Sequence, residues 1–542
     1  MIVNEADEAP IVLFVNKMLL DAIKIGASDL HFEPYEKFYR VRFRVDEKLR
    51  VVASPPVGLA RKLASRIKVM SQLNVLERRL PQEGRIKLEI SANVSVDFRV
   101  RTCPNLWGEK IVMHVLDSSA ARLNLDRLVY EEELDVYEEE LLVVLVNDKK
   151  KVDETPIVKF VNQMLLDALE IGASDLYFDP DEKSYQVRFR VDGILREVAR
   201  PPVALARQLA AGIKVMSHLN VLERRVPQEG RIKLKISANE SVDCWVRITP
   251  NSWGEQIVMR ILASSAVKLN LDRLGYEEEQ KRLYLKALAS PYGIVLVAGP
   301  TESGKTVSLY KGINLLNKED VNISTVEKLV EINLPGVNQV QVDEKTGMTF
   351  VDTLKDSLQQ DPDIIVVDEI RDLETGEIAI KAAAMGYMVM STLPTNDAPQ
   401  TLTAMTAMGI PAVAIATYTK LIIAQRLCRC LCSCKVEQDI PKKTLLQEGF
   451  KKEEIANLKL YGPRPGGCEK CSGFGYKGRI GIYQVMPISD EMKHLIMASS
   501  NAISLAKQAH QEGIPDLWES GLKKVKAGLT SLEEINHVVK KG

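Results

Sequence analysis

Between residues 299 and 306 the chain reads GPTESGKT, a Gly-x-x-x-x-Gly-Lys-Thr spacing that gathers glycine backbone, a lysine and a hydroxyl into one short loop. Residue types at these intervals suit one task. Glycines let the N–H groups of a tight loop point at phosphate oxygens, the lysine reaches the β- and γ-phosphates, and the threonine hydroxyl is a hard oxygen ligand for Mg²⁺. The spacing therefore predicts Gly299, Pro300, Thr301, Glu302, Ser303, Gly304, Lys305 and Thr306 as a nucleotide-binding loop, with Thr306 on the metal. Its flanks agree, since 294–298 is a β-branched apolar run and 307–316 carries helical apolar spacing, so a helix N-terminus adds its partial positive charge. Glu302 works against this, because a carboxylate in the cradle repels phosphate unless its side chain turns outward.

The second set of reactive side chains is cysteine. Six of the eight lie between Cys428 and Cys471, while Cys103 and Cys244 stand alone and read as core residues. The chain shows no basic-then-apolar leader, and its most apolar stretches are too short or interrupted to span a membrane, so it reads as cytosolic, where clustered cysteines point to metal rather than disulfides. Cys468 and Cys471 form a C-x₂-C knuckle followed by Gly473, Gly475 and Gly478. Opposite them, Cys428, Cys430, Cys432 and Cys434 alternate, and no C-x₂-C exists among them. With 72 basic and 73 acidic residues the net charge is −1, which gives no global argument for nucleic acid.

What must position these groups is a chain of 542 residues, too long for one core. A large internal repeat organises its first half: Pro10 to Glu133 recurs without a gap as Pro156 to Glu279, with roughly seven residues in ten identical. Each copy opens with an amphipathic helix (11–25 and 157–171) ending at Gly26 or Gly172. Alternating runs follow, YRVRFRV and YQVRFRV, then a second helix around 63–70 and strands near 86–90 and 96–100 in the first copy. Each is predicted to be a small α+β domain. The boundaries read as copy 1 over 1–133, an acidic-to-basic linker over 134–152, copy 2 over 153–280, an α/β nucleotide-binding core over 281–425, a Cys-rich segment over 426–483 and helices over 484–542. In the last segment SLEE at 531–534 fits a capping box.

GPTESGKT, ISTVEKLVE (323–331), LPGVNQVQV, QQDPDIIVVDEIRDLETGEIA (359–379) and MGYMVMSTLPTNDA (385–398) together closely resemble the secretion ATPases, the type II secretion and type IV pilus assembly ATPases, and most of all the pilus assembly (extension) members. The likeness covers nearly the whole chain. It implies a RecA-like P-loop ATPase domain preceded by two tandem copies of the domain that precedes the motor in that family, with a zinc-binding insert and a helical tail. It also implies ATP, Mg²⁺ and Zn²⁺, a homo-hexamer peripheral to the inner membrane, and an inner-membrane platform protein as partner. Position by position, Lys305 and Thr306 match the family's phosphate and Mg²⁺ contacts. Glu327 matches the carboxylate that prepares the attacking water, and Glu369 the acidic residue of the Walker B strand. Arg85 and Arg99 of the first copy match arginines that sense the γ-phosphate; in the second copy Arg231 remains while Trp245 replaces the other. Cys432, Cys434, Cys468 and Cys471 match the four-cysteine zinc site.

Departures accompany the likeness. Lys328 and Leu329 follow Glu327 where the family has Asp-Pro, Asp368 stands where glycine is usual, Gln359 where arginine is common, and Tyr387 and Pro394 replace the two histidines of the His-box. Because phosphoryl transfer is mostly positioning and electrostatics, such losses should slow hydrolysis more than binding. The sequence therefore supports a motor that drives pilus or pseudopilus assembly, and beside it a nucleotide-binding, hydrolytically impaired paralog with a structural or regulatory role. Retraction is disfavoured, since retraction members usually lack the zinc site. The chain also starts at the repeat, without the further N-terminal domain with which many members dock to the platform.

Overall fold

Alternation of apolar and charged residues builds a strand with one face for a core, and in this chain it does so twice. The computed structural model describes residues 9–91, 94–116, 156–235, 241–262, 271–342, 347–455 and 458–539; the expected linker lies outside them. In the first repeat Asp29–Pro34 (β1), Tyr39–Val45 (β2), Lys48–Ala53 (β3), Gln82–Ser91 (β4), Val94–Asn105 (β5) and Gly108–Val115 (β6) form an antiparallel sheet ordered β3-β2-β1-β6-β5-β4. Leu30, Phe32, Val41, Phe43, Phe98 and Val100 face the helices Ala9–Ile25 and Ala60–Met70, which contribute Val15, Leu19, Leu63 and Ile67. The second repeat forms Ala173–Pro180 (β7), Tyr185–Val191 (β8), Ile194–Ala199 (β9), Gln228–Lys235 (β10), Ser241–Asn251 (β11) and Gly254–Leu262 (β12), ordered β10-β11-β12-β7-β8-β9. That is the same arrangement, with its core under Pro156–Ile171 and Ala206–Met216.

The third sheet has seven strands in the order β15-β14-β16-β17-β13-β18-β21. They are Gly293–Ala298 (β13), Ile323–Glu327 (β14), Asn338–Gln341 (β15), Ile364–Val367 (β16), Met388–Leu393 (β17), Thr419–Leu431 (β18) and Tyr476–Pro487 (β21). A separate antiparallel ribbon joins Val436–Gln438 (β19) to Leu460–Gly462 (β20). From β15 to β18 every pairing is parallel, so the carboxyl ends of these strands share one edge. Parallel strands are covered on both faces, which is why IIVV and GIVLVA are unbroken apolar runs and fully buried. One continuous core joins Leu296, Val326, Ile365, Val389 and Ile422 to Trp518, Val525 and Ile535 near the end of the chain.

Contacts divide the chain into two units, one of residues 1–129, 269–468 and 480–542, the other of 130–268 and 469–479. The first repeat and the seven-stranded sheet thus belong to one body. Ser531 does cap the helix Leu532–Val538, accepting from the backbone N–H of Glu534 at 3.1 Å. The Glu534 carboxylate, which a capping box would turn back to the cap, instead accepts from the backbone N–H of Arg429 and from its guanidinium.

Candidate nucleotide site and cysteine cluster

β13 stops at Ala298, and the helix Lys305–Leu316 begins after a loop whose shape only small residues permit. A Cβ on Gly299 would lie 2.4 Å from Ser303 Oγ and 2.7 Å from the Gln425 carbonyl, and Gly304, the residue before the helix, has φ +84°. Gln425 on β18 fixes the loop from below, donating to the Ser303 carbonyl at 2.7 Å. Ser303 Oγ is buried and makes no hydrogen bond. A buried hydroxyl left unsatisfied inside a glycine cradle is what a phosphate-binding loop offers its ligand. Lys305 Nζ donates to the carbonyls of Gly299 and Pro300 at 2.8 and 2.9 Å, so it is already folded over the loop. Burial lowers its pKa, opposed first by the charge of Glu369. Glu302 is exposed and adopts φ +64°. The loop thus asks of Glu302 a left-handed backbone, which a residue other than glycine adopts at a cost.

The acidic groups come from neighbouring strand ends. Glu327 closes β14 and Asp368 and Glu369 follow β16, so all three stand at the carboxyl edge that also carries the loop after β13. Glu327 is almost fully buried and accepts from Thr325 Oγ1 at 2.5 Å, Gln339 Nε2 at 3.2 Å and the Tyr310 hydroxyl. Burial pushes its pKa up to about 7 despite those donors. Asp368 rises to about 6 for the same reason, with Lys305 opposing, and its Oδ2 accepts from the Lys328 backbone N–H at 3.2 Å. Glu369 is also raised by burial and takes Arg371 Nε at 2.6 Å. The Lys328 side chain itself is exposed.

Sequence reasoning did not single out Tyr310 or Gln339, whose only signal is polarity inside a helix and a strand that otherwise bury apolar residues. Nor did it place Tyr387. That residue precedes β17, at the amino edge of the sheet, where its carbonyl accepts from Gly293 N–H at 3.2 Å. A strand of six residues separates it from Pro394, so this half of the expected histidine loss does not face the phosphate loop.

The amino edge is also where the first repeat sits. Lys110 Nζ donates to Asn322 Oδ1 at 2.7 Å before β14, Asn105 to Asn338 Oδ1 at 3.0 Å on β15, and Arg101 to the Gln359 carbonyl at 3.3 Å. Arg85 and Arg99 are cross-strand neighbours on β4 and β5, with Arg85 exposed and Arg99 Nε on Glu83 at 2.5 Å. Within one chain they are not brought to the carboxyl edge and its loop. Arg231 pairs across β10 and β11 with Trp245.

Cys432, Cys434, Cys468 and Cys471 place their sulfur atoms within 4.8 Å of one another. The Cys432–Cys468 separation is 3.7 Å, close to the edge of about 3.8 Å expected for thiolates at about 2.3 Å around a tetrahedral Zn²⁺. Gly475 N–H donates to Cys471 Sγ at 3.1 Å, a second support for a thiolate. Cys428 is instead buried in the main core, with its thiol pKa pushed up to about 12 by burial.

Comparison with known proteins decides the family. Residues 4–145 and 150–537 match the family model described as Type II/IV secretion system protein. The chain belongs to this family. Among relatives of this secretion family, the Type IV pilus assembly ATPase PilB of Pseudomonas aeruginosa is 56% identical over 391 residues, covering 72% of this chain and 69% of that one. The Type II secretion system ATPase E of Vibrio cholerae is 41% identical over 389 residues, covering 72% and 76%. Two solved structures share the fold: the Legionella pneumophila ATPase DotB (TM-score 0.53, 17% identity, 72% of this chain and 97% of that one) and the pilus retraction motor PilT with bound ADP (TM-score 0.51, 22% identity, 70% and 97%). Among the described residues no helix is long and apolar enough to cross a membrane.

Proposed function

We propose that this secretion-family chain is an ATP-hydrolysing motor subunit that drives assembly of a type IV pilus, or of a type II secretion pseudopilus, from the cytoplasmic face of an inner membrane. The observation that carries it is one sheet edge holding the glycine cradle with its buried unsatisfied Ser303 hydroxyl, the folded-over Lys305, and the carboxylates of Glu327, Asp368 and Glu369. The backbone of residues 299–304 and Lys305 bind the phosphates of ATP. Thr306 and Glu369 are the groups that would hold Mg²⁺, which when bound neutralises charge on the β- and γ-phosphates. Glu327, oriented by Tyr310, Thr325 and Gln339, accepts the proton of the attacking water, a role its raised pKa suits near neutral pH. The relatives named as pilus assembly and type II secretion ATPases supply the process. Within it we assign the regions 1–133, 153–280, 281–425, 426–483 and 484–542 to two tandem α+β domains, a RecA-like core, a zinc segment and a tail. A homo-hexamer on a platform protein is the working form. Arg85 and Arg99 would meet nucleotide only on a neighbouring chain, and Arg231 is their counterpart in the second repeat.

The reading of a nucleotide-binding subunit with weak hydrolysis keeps one specific support, the closure of Glu327 behind Tyr310 and Gln339. Steady-state ATP turnover decides between them, measured beside binding of a fluorescent ATP analogue in the native chain and in Lys305→Ala. A motor shows turnover and binding that both disappear in the variant; binding without turnover in the native chain supports the second reading.

A further inference from the structure

Three hydrogen bonds hold Asp368 at the end of β16. Its backbone N–H donates to the Val326 carbonyl at 3.0 Å, its carbonyl accepts from Thr392 Oγ1 at 2.6 Å, and its carboxylate Oδ2 accepts from the Lys328 backbone N–H at 3.2 Å. The residue is therefore tied to both strands that flank β16, namely β14 and β17, and to the turn that follows Glu327. One group is left over: Asp368 Oδ1 meets no hydrogen-bond donor among the described residues.

That carboxylate lies among the reacting groups. Val326 and Val367 are paired neighbours on parallel strands, so the next residue of each, Glu327 and Asp368, projects to the same side of the sheet. The Asp368 charge accordingly bears on Glu327, on Tyr310 and on Lys305. Glu327 itself is nearly filled. An ionised carboxylate has about four acceptor positions; Thr325 and Gln339 take those on Oε1, and Tyr310 takes one on Oε2. A single lone pair remains there for a water molecule.

A water molecule that attacks a phosphate has two hydrogens to place. Held by only one, it still turns about that bond and its oxygen is not aimed. We infer that Asp368 is a further catalytic residue of the proposed hydrolysis: its Oδ1 accepts the second hydrogen of the attacking water, whose first hydrogen is accepted by Glu327. Clamped between two acceptors, the water turns a lone pair toward the γ-phosphorus. Its oxygen bonds to phosphorus, and the bond from phosphorus to the β,γ-bridging oxygen breaks with its electron pair leaving on ADP. The first proton passes to Glu327, while the second hydrogen stays on the phosphate product. Asp368 gains no proton and works as an acceptor alone. Glycine, usual at this position in the family, has no side-chain oxygen to offer, so the clamp is particular to this chain. The inference rests on the proposed hydrolysis at Glu327 and extends it to the neighbouring strand.

The test compares the native chain with Asp368→Asn and Asp368→Ala by single-turnover cleavage of ATP, which reads the chemical step apart from product release, beside binding of a fluorescent ATP analogue. In Asp368→Asn the amide oxygen still accepts from the Lys328 N–H, so the tether survives, and the amide N–H₂ group meets the water as a donor where an acceptor is needed. Cleavage at saturating ATP should slow by at least about ten-fold in both variants. Analogue affinity should hold or tighten, because a negative charge beside the phosphates is removed, and retained binding shows that each variant is folded. If Asp368→Ala does not fold, the nearly isosteric Asp368→Asn decides alone. A role confined to holding the turn gives a different pattern, with Asp368→Asn cleaving like the native chain; that result overturns the inference, and so does slower cleavage accompanied by weakened analogue binding. Absence of cleavage in the native chain overturns the hydrolysis reading and the inference with it, whereas native cleavage beside an unimpaired Asp368→Asn overturns the inference alone.

Discussion

Glu327 is a carboxyl group that burial and hydrogen bonding pull in opposite directions. Burial raises its pKa, the donors Thr325 and Tyr310 lower it, and the balance lies at about 7. As the base of the proposed reaction it must be ionised, so turnover should fall on the acid side of about pH 7. Tyr310→Phe removes a donor to the ionised form and should move that limb to higher pH, whereas Asp368→Asn removes a like charge and should move it lower. A pH–rate profile unmoved by both changes would take the base role from Glu327. The sign for stability is opposite: the folded state keeps this proton more tightly than the unfolded one, so this group's contribution is fully present below pH 4.5 and is lost between there and about 7. A second expectation concerns Glu302. With its side chain exposed and its backbone left-handed, Glu302→Gly should stabilise the protein by about 1 kcal/mol and tighten ATP by only about two-fold, since an exposed charge is screened. Calorimetry and analogue titration read the two effects, and a large gain in affinity without a gain in stability would place the carboxylate back in the cradle. Lys305 and Thr306 stand out in the sequence because their spacing is local in the chain, while Glu327 and Glu369 are singled out there only through the family resemblance. Tyr310 and Gln339 are not singled out, because their partner is reached only when the sheet and its helix pack.

At the scale of elements, the cysteine segment gives the sharpest expectation. Cys432, Cys434, Cys468 and Cys471 form the cluster, and Cys428 lies in the apolar core. Purified protein should carry one zinc per chain by elemental analysis. Cys468→Ser should lose it and lower the melting temperature, and Cys428→Ser should leave metal content unchanged. Metal retained in the first variant, or lost in the second, would reassign the ligands. Strands with clean alternation, YRVRFRV and YQVRFRV, could be read in advance to the residue, and the strand before the phosphate loop, expected over 294–298, begins one residue earlier at Gly293. The strands β1, β3 and β6 were not singled out, and β1 shows why: DLHFEP carries His31 and Glu33 on a face that no isolated strand could bury. Those side chains are buried only because Arg40, Arg42 and Lys110 meet Glu33 and the motor edge covers them. Ser531 was recognised as a cap, but the destination of Glu534 depends on Arg429, about a hundred residues away in sequence.

On the scale of the whole molecule, sequence boundaries and packing boundaries differ, and the difference can be measured. The region 484–542 reads as a helical tail, yet Trp518, Val525 and Ile535 belong to the same continuous core as Leu296 of β13 and Ile422 of β18. Trp518 also donates its indole N–H to the Glu448 carbonyl at 3.0 Å, and Arg429 on β18 is bound to Glu534. A tail tied in this way is part of the motor's fold, because removing it strips one side of β18 and leaves the half-buried Arg429 guanidinium without the Glu534 carboxylate. Deleting 484–542 should therefore abolish cooperative unfolding of the remaining motor and with it analogue binding, even though every residue of the phosphate loop is retained. The milder Trp518→Ala, which removes one large side chain and its hydrogen bond, should cost about 3 to 5 kcal/mol and lower the melting temperature while leaving analogue affinity nearly unchanged at a temperature where the protein is folded. If the truncated chain instead melts cooperatively and binds nucleotide like the parent, the tail is a separate appendage, and the shared core does not couple the end of the chain to the site.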